Sequence, residues 1–284
     1  MSELAKRVAF AVIAIPVLLG VVWAGGAALT ILLAIAAALA ASEFATLATA
    51  TGSAPLRPAL VGGAAAIPLA VHAAGLGLWV PPLPVVALLV PVLLMSALWT
   101  RGVTGRPLES VATTLLGLWY TGGMLSFAYA LRHHRFAIGA AAGTALVMFP
   151  MLVTWVTDAA AFFVGRAVGG PKLMPSVSPG KTISGAIGGL FGGAITAWAY
   201  AAYLLPPATR MGMTLGAAIA SGVLLSVVAQ IGDLVESLLK RQAGVKDSSH
   251  LIPGHGGVLD RTDSLLFTLP VGFVLLDRLL ALGA

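Results

Sequence analysis

The sequence predicts an all-α, polytopic integral membrane protein with about nine transmembrane helices and a cytoplasmic N-terminus. Composition is the first reason, since 59% of the 284 residues are hydrophobic, 9% are charged and the mean hydropathy is +1.00. Soluble domains carry about 25% charged residues. The second reason is a succession of apolar runs of membrane-spanning length, and the third is that most basic residues lie between those runs.

Nine apolar runs reach or approach the roughly 20 residues of helix that cross a bilayer. They cover residues 8–24, 27–49, 59–79, 81–100, 111–131, 137–164, 184–205, 212–240 and 264–283. The region 59–100 contains five prolines, so that two spans or a re-entrant pair both fit it. The first run is interpreted as a retained span rather than a signal peptide, because no clear cleavage site follows it.

Lys and Arg placement orients the chain. With nine spans and the N-terminus inside, twelve of the sixteen basic residues lie in cytoplasmic loops, as the positive-inside bias requires. The charge-rich loops 165–183 and 240–263 then share the cytoplasmic side of the cell membrane. We predict a scaffold of helices over 1–110, which could also hold an oligomer contact, and a catalytic region over 111–284.

The net charge of +6 does not indicate nucleic-acid binding, because the charges lie in loops between apolar segments. That pattern reflects membrane topology and suits an anionic partner. The chain has no cysteine, which excludes disulfides and thiolate metal sites.

The eighth predicted span carries a polar stripe in otherwise apolar sequence. Its members follow at steps of four, three, four and three, so they share one helix face. They are Ser226, Gln230, Asp233, Ser237 and Lys240. Ionisable groups in apolar surroundings are costly, which points to a functional role for this face.

The following loop combines basic residues, glycines and acids. Lys240, Arg241 and Lys246 suit phosphates, and Asp233 and Asp260 are hard oxygen ligands of the kind that Mg²⁺ uses. Glu236 is a weaker candidate ligand. The glycines at 254, 256 and 257 allow backbone amides to approach an anion. A basic patch for acidic lipid headgroups would explain the lysines but not the aspartates.

A second charged segment surrounds the end of the sixth span. Asp158 lies within the span and precedes small alanines that allow a helix or ligand to come close. The next loop contains Arg166, Lys172 and Lys181, and residues 178–182 precede the seventh span, where a helix N-terminus favours phosphate. A positive-inside loop with capping residues explains this segment equally well.

The spacing of these residues resembles a known family signature. Ser237-x-x-Lys240-Arg241, Lys246-Asp247, Pro253-Gly254-His255-Gly256-Gly257 and Asp260-Arg261-x-Asp263 are similar to the phosphatidate cytidylyltransferase (CDP-diacylglycerol synthase) family. The run from Asp158 to Thr182 resembles the family's other marked segment. The sequence departs from the pattern at Gly180, Ser184 and Ser249-His250, where the family commonly has Lys, Glu and Gly-Asn.

The resemblance implies transfer of a cytidylyl group from CTP to phosphatidic acid. It implies catalytic roles for Asp233, Asp260, Lys240 and Arg261, with Asp233 and Asp260 holding a divalent cation, Mg²⁺. The residues implied to bind substrate are Asp158, Lys172, Ser178, Lys181, Thr182, Ser237, Arg241, Lys246, Asp247, His255, Gly256, Gly257 and Asp263. Ser237 is interpreted as a hydrogen-bond donor rather than a nucleophile, because the lipid phosphate is already ionised.

Other function classes remain as alternatives. Another CTP-dependent lipid enzyme, a polyprenol-type kinase or an archaeal-lipid cytidylyltransferase, would differ in its lipid acceptor. A transporter would show inverted repeats and polar residues deep in several spans, and the sequence shows neither. The predicted partners are CTP, phosphatidic acid and the lipid bilayer, without nucleic acid, and a homodimer is left open.

Overall fold

The computed structural model describes residues 3–252, 254 and 256–282, with side chains described for 12–252, 254 and 256–280. Over this part of the chain the fold is almost entirely helical, and the β-structure amounts to two short two-stranded sheets and an isolated bridge. The predicted all-α class is therefore confirmed.

The chain folds into two compact units. The first contains Met1–Tyr129 and Leu239–Arg261, and the second contains Ala130–Leu238 and Thr262–Ala284. The first unit thus combines the N-terminal helices with most of the loop that follows the polar stripe. The predicted scaffold and catalytic regions, divided at residue 110, stay a prediction.

The first unit is a helical bundle. Its helices are α1 (Glu3–Ala24), α2 (Gly26–Ala50), α3 (Arg57–Gly75), α4 (Leu83–Arg101), α5 (Pro107–Gly117) and a π-helix (Leu118–Gly123). A short helix, α6 (Phe127–Arg132), follows. In α2 the buried side chains recur every three or four residues, from Leu29 through Leu33 and Ala37 to Phe44, as expected for a helix with one face in a core.

The π-helix interrupts the predicted span 111–131. It packs against α2 and α3, and a Cβ at Gly122 would lie 2.5 Å from the carbonyl oxygen of Ala64. The edge of Phe44 meets Tyr120 with 5.9 Å between the ring centroids. Glycine therefore allows the backbones of α3 and the π-helix to come into direct contact.

The proline-rich region 59–100 forms two separate helices, α3 and α4. Pro82 precedes the first turn of α4. Proline has no backbone N–H, and at this position an N–H would have no acceptor within the helix, so no helical hydrogen bond is lost. Both helices are long and apolar enough to cross a bilayer, so this region fits two spans.

Six helices within the described residues are long and apolar enough to span a membrane, namely α2, α3, α4, α7, α8 and α10. The chain is thus a multi-pass membrane protein. The predicted count of nine spans is not confirmed, and the cytoplasmic side of the N-terminus stays a prediction.

The second unit is built around α7 (Gly139–Val168), α8 (Ile183–Tyr203), α10 (Leu215–Gln242) and α11 (Leu259–Leu279), of which α10 and α11 extend into the first unit. Its other elements are α9 (Leu205–Thr209) and the strands β1 (Lys172–Met174), β2 (Ser178–Thr182), β3 (Met211–Gly212) and β4 (Ala281–Leu282). Antiparallel pairs join β1 to β2 and β3 to β4.

Small residues set the distance between α7 and α8. A Cβ at Gly192 would lie 2.6 Å from the Cβ of Ala160, and one at Gly185 would lie 2.6 Å from the carbonyl oxygen of Ala161. The alanines that follow Asp158 thus allow the close helix approach that the sequence predicts.

Hydroxyl groups join the helices of this unit in its core. Thr157 and Ser226 lie 2.8 Å apart between α7 and α10, and Thr154 donates to Thr268 of α11 at 3.0 Å. All of these side chains are buried. Each hydroxyl therefore has a hydrogen-bonding partner in surroundings where an unsatisfied polar group would be costly.

Candidate active site

The polar stripe of α10 changes character along the helix. Ser226 packs against Thr157, and the Gln230 side chain donates to the carbonyl oxygen of Ala186 at 3.3 Å. Both contacts are with neighbouring helices of the second unit. The N-terminal part of the stripe therefore holds helices together, and the charged part of the stripe begins at Asp233.

Asp233 lies in an ion pair with Lys181 of strand β2. The Lys181 Nζ is 2.7 Å from Asp233 Oδ2, and Ser237 Oγ donates to Asp233 Oδ1 at 3.2 Å. The two charged side chains are 28% and 32% exposed, so the protein does not enclose this pair. We call these three residues the Lys181–Asp233 cluster. The structure thus brings together three site residues predicted from two distant sequence segments.

Asp158 belongs to the electrostatic surroundings of this cluster. The charges of Asp233, Asp263 and Lys181 all act on its carboxyl group. The Asp263 carboxylate accepts the backbone N–H of Ser264 at 2.6 Å. Within the described residues, no group of three or more His, Cys, Asp or Glu side chains is placed to hold a metal ion.

The loop 165–183 contains a β-hairpin that delivers Lys181. Thr182 ends β2 and caps α8, because its hydroxyl accepts the backbone N–H of Gly185 at 3.1 Å. Ser184 Oγ lies 3.0 Å from the Thr182 hydroxyl and donates to the carbonyl oxygen of Gly169. The predicted placement of residues 178–182 directly before a helix N-terminus is confirmed. Thr182 is buried and used as a cap, while Ser178 is half-buried and Lys172 is exposed.

A second group of residues surrounds Asp260 in the first unit. Asp260 Oδ1 pairs with Lys240 Nζ at 2.7 Å, with the side chains 4% and 12% exposed. Asp260 Oδ2 accepts the N–H of Ser248 at 2.9 Å, its hydroxyl at 2.8 Å and the N–H of Gly257 at 2.7 Å. A buried carboxylate with a cation and three donors is well compensated for the loss of water.

A carboxylate from α2 completes this group. Glu43 accepts the hydroxyls of Ser248 at 3.1 Å and Ser249 at 2.7 Å, and the N–H groups of Val258 at 3.1 Å and Leu259 at 2.7 Å. The residue is 6% exposed. We call Glu43, Lys240, Ser248 and Asp260 the Glu43–Asp260 cluster.

Gly256 and Gly257 of the loop are required by these carboxylates. A Cβ at Gly256, where φ is +78°, would lie 2.5 Å from Asp260 Oδ2. At Gly257 a Cβ would lie 2.5 Å from both carboxylate oxygens of Glu43. Any side chain would therefore displace the carboxylates, and at Gly256 the left-handed backbone adds strain. In this structure the Gly257 amide donates to Asp260, so its predicted contact with substrate stays a prediction.

The remaining predicted residues lie along the same loop. Arg241 is exposed, and its guanidinium donates to the carbonyl oxygen of Val245 at 3.0 Å. Lys246, Asp247 and Arg261 are exposed. The predicted substrate contact at His255 lies outside the described residues.

Glu43 and Ser248 are the cluster residues that sequence reasoning missed. Glu43 is the one acidic residue within the apolar run 27–49, which is the kind of signal that identified Asp158. The run carried no recognised motif.

Comparison with known proteins gives a family. Residues 5–279 match the profile described as the cytidylyltransferase family. A 124-residue segment is 52% identical to a protein of Brucella melitensis biotype 1 named phosphatidate cytidylyltransferase, covering 44% of each chain. A 165-residue segment is 39% identical to a Staphylococcus aureus (strain COL) protein of the same name, covering 58% of each chain. These matches span about half the length of the relatives. Because the family profile matches nearly the whole sequence, the chain belongs to the cytidylyltransferase family.

Proposed function

We propose that the chain transfers a cytidylyl group from CTP to phosphatidic acid, releasing pyrophosphate and forming CDP-diacylglycerol. The observation that carries this proposal is the family match over residues 5–279. The names of the relatives supply the lipid acceptor. Lys181, Lys240 and Asp260 lie in the segments where the family signature places charge, and Asp233 precedes the second segment by one helical turn.

The proposed reaction needs no covalent enzyme intermediate. A phosphate oxygen of the lipid forms a bond to the α-phosphorus of CTP, while the bond from that phosphorus to the oxygen bridging to the β-phosphorus breaks. Both reactants are anions, and the departing pyrophosphate gains charge, so positioned cations lower the barrier. Lys181 and Lys240 are the cationic partners that the two clusters hold in place.

We propose further that these lysines exchange partners during substrate binding. Each ammonium neutralises an aspartate at 2.7 Å. A phosphate group offers each lysine a stronger anionic partner, with charge-assisted hydrogen bonds of the same kind. Arg241, Lys246 and Arg261 are exposed and are proposed to contact the outer phosphates.

Asp233 and Asp260 differ in how readily they could bind a divalent cation. Asp233 is 32% exposed, and a carboxylate has about four lone-pair sites, so Asp233 has room for a hard cation beside Lys181 and Ser237. Asp260 has more of its oxygen lone pairs occupied by hydrogen bonds than Asp233. Its Oδ1 would become available to a cation after Lys240 has moved to a phosphate. Bound Mg²⁺ would supply neutralisation of the charge on the departing pyrophosphate.

The direct test is an assay of purified protein in detergent with phosphatidic acid, labelled CTP and Mg²⁺. We expect a labelled CDP-lipid and pyrophosphate, and no product when EDTA replaces Mg²⁺. Labelled ATP in place of CTP and polyprenol in place of phosphatidic acid are the controls. A phosphorylated polyprenol without a CDP-lipid would contradict the proposal in favour of the lipid-kinase alternative.

Lys246→Ala and Lys240→Ala should both weaken CTP binding but differ in stability. Each lost charge-assisted phosphate contact is expected to cost about 1.5–3 kcal/mol. Lys246 is exposed, so its removal should leave the melting temperature unchanged. Lys240→Ala should also lower the melting temperature, because Asp260 is 4% exposed and loses its cation. An unchanged CTP KM in both variants would instead assign these lysines to lipid headgroups.

We also propose that both clusters face the cytoplasm, on the basis of the positive-inside bias. Single cysteines at Lys172 and Lys246 in this cysteine-free chain should be protected from an impermeant thiol reagent in intact cells. After permeabilisation both should react, since both positions are exposed. Labelling of both from outside would overturn this topology. Location in the cell membrane stays a prediction, and so does the possible homodimer.

A further inference from the structure

The buried acid of α2 is held by the loop between α10 and α11. Glu43 is 6% exposed, and four donors lie within hydrogen-bonding distance of its carboxylate among the described residues, one of them the Ser248 hydroxyl that it shares with Asp260. Four donors match the acceptor capacity of an ionised carboxylate. Burial of such a group is costly unless its hydrogen bonds are made, so the place of Glu43 depends on the shape of that loop.

Glu43 joins the middle of this loop to its end. Ser248 and Ser249 lie in the middle of the loop, whereas Val258 and Leu259 lie at the start of α11. The first N–H groups of a helix have no partner within the helix, and its N-terminus favours negative charge. Glu43 therefore serves as a cap for α11 from another helix, while its contact with the serines ties the middle of the loop to the same carboxylate.

The same carboxylate is linked to the lysine–aspartate pair of its cluster. The Ser248 hydroxyl lies 3.1 Å from Glu43 Oε2 and 2.8 Å from Asp260 Oδ2, within hydrogen-bonding distance of both. Gly257 separates the two acids, and no Cβ fits there. A shift of Glu43 would therefore move the donors that orient Asp260, and with Asp260 the partner of Lys240.

We propose that Glu43 is a positioning residue for cytidylyl transfer, holding its four loop partners, Ser248, Ser249, Val258 and Leu259, in the positions that present Asp260 and Lys240 to the phosphates of CTP. This inference rests on the proposed function. It extends the functional residues into the N-terminal helices, which carry none of the residues of the sequence signature. Glu43 acts through Ser248 and Asp260 and does not itself touch the reacting atoms.

The Glu43→Gln variant tests this role because its amide cannot replace the carboxylate. Val258 donates to Oε1 and Leu259 donates to Oε2, so either orientation of the amide directs its NH₂ at a backbone N–H. We expect kcat/KM for CTP to fall about 10- to 100-fold, with the KM for phosphatidic acid unchanged. Glu43→Asp, which keeps the charge, should recover part of the loss.

A second readout does not depend on catalysis. Lys246 is exposed within the loop, so cleavage by trypsin at Lys246 reports how firmly the loop is held. Glu43→Gln should be cleaved faster than the wild-type protein. The matched control is Glu109→Gln, which alters a partly exposed carboxylate paired with Arg106 in the same unit and should change neither readout.

The outcomes separate this inference from the proposed function. A wild-type protein that forms no CDP-lipid would overturn the proposed function and, with it, the catalytic meaning of Glu43. An active wild type with wild-type kinetics and cleavage in Glu43→Gln would overturn the inference alone. A lowered melting temperature with unchanged kcat/KM would also overturn it, by leaving Glu43 a purely structural role. If Glu43→Gln does not fold, Ser249→Ala removes the 2.7 Å hydrogen bond to Glu43 together with the acceptor of the Leu251 N–H, and it should shift both readouts in the same direction.

Discussion

Asp260→Asn should abolish turnover and lower the melting temperature of the protein. The carboxylate contacts the Lys240 ammonium through Oδ1 and two backbone N–H groups through Oδ2. An asparagine amide must direct its NH₂ either at the ammonium or at the two backbone N–H groups, none of which can accept a hydrogen bond. Removal of one partner from a buried ion pair costs about 3–5 kcal/mol, and the side chains here are 4% and 12% exposed.

The measurement is CDP-lipid formation together with thermal unfolding in detergent. Adding Lys240→Ala to Asp260→Asn removes the ammonium that faces residue 260, so the double variant should regain part of the lost stability but no activity. Near-native Mg²⁺-dependent turnover in Asp260→Asn would show that this aspartate only supports the loop.

Asp233→Asn should abolish turnover as completely but leave the stability almost unchanged. The Lys181–Asp233 pair is 28% and 32% exposed, and ion pairs that water reaches contribute about 0–1 kcal/mol to stability. Activity should suffer because the proposed cation ligand is lost and Lys181 is no longer held by its partner. The asparagine keeps an oxygen for Ser237, so the end of the polar stripe stays intact.

Turnover at saturating CTP and Mg²⁺, measured beside the melting temperature, distinguishes the two aspartates. Gln230→Ala is the matched control on the same face of α10, since its side chain contacts only a carbonyl oxygen of α8 among the described contacts and should leave turnover unchanged. An active Asp233→Asn protein would leave Asp233 a packing residue, and Asp158 or Glu236 would then become the proposed cation ligand.

Much of the architecture follows from local sequence. Apolar run length and proline positions predicted α2, α3, α4, α7, α8 and α10 within a few residues, because a helix that crosses a bilayer must be apolar along its whole length. The stripe spacing placed Asp233 and Ser237 on one face, and the structure joins them by a hydrogen bond. The charged loops were evident because charge is rare elsewhere in this chain.

Local sequence was not sufficient for the hairpin of β1 and β2, whose strands lie in a loop rich in glycine and proline. It also could not show that Thr182 is consumed as the cap of α8, or that Ser226 and Gln230 join helices. These outcomes depend on which neighbour each polar group meets after the helices have packed.

The sequence alone was sufficient for the helical class, the spans that the structure supports and the segments in which the charged residues lie, because hydropathy, periodicity and motif spacing are properties of a single segment. The role of Glu43 required the folded chain. Its hydrogen-bonding partners are 205 to 216 positions away in the sequence, and no pattern within α2 predicts which residues they are. These hydrogen bonds form because packing buries the Glu43 carboxylate beside the N–H groups at the start of α11, which have no acceptor within the helix. The carboxylate accepts their hydrogen bonds, so neither the acid nor the N–H groups are left unsatisfied.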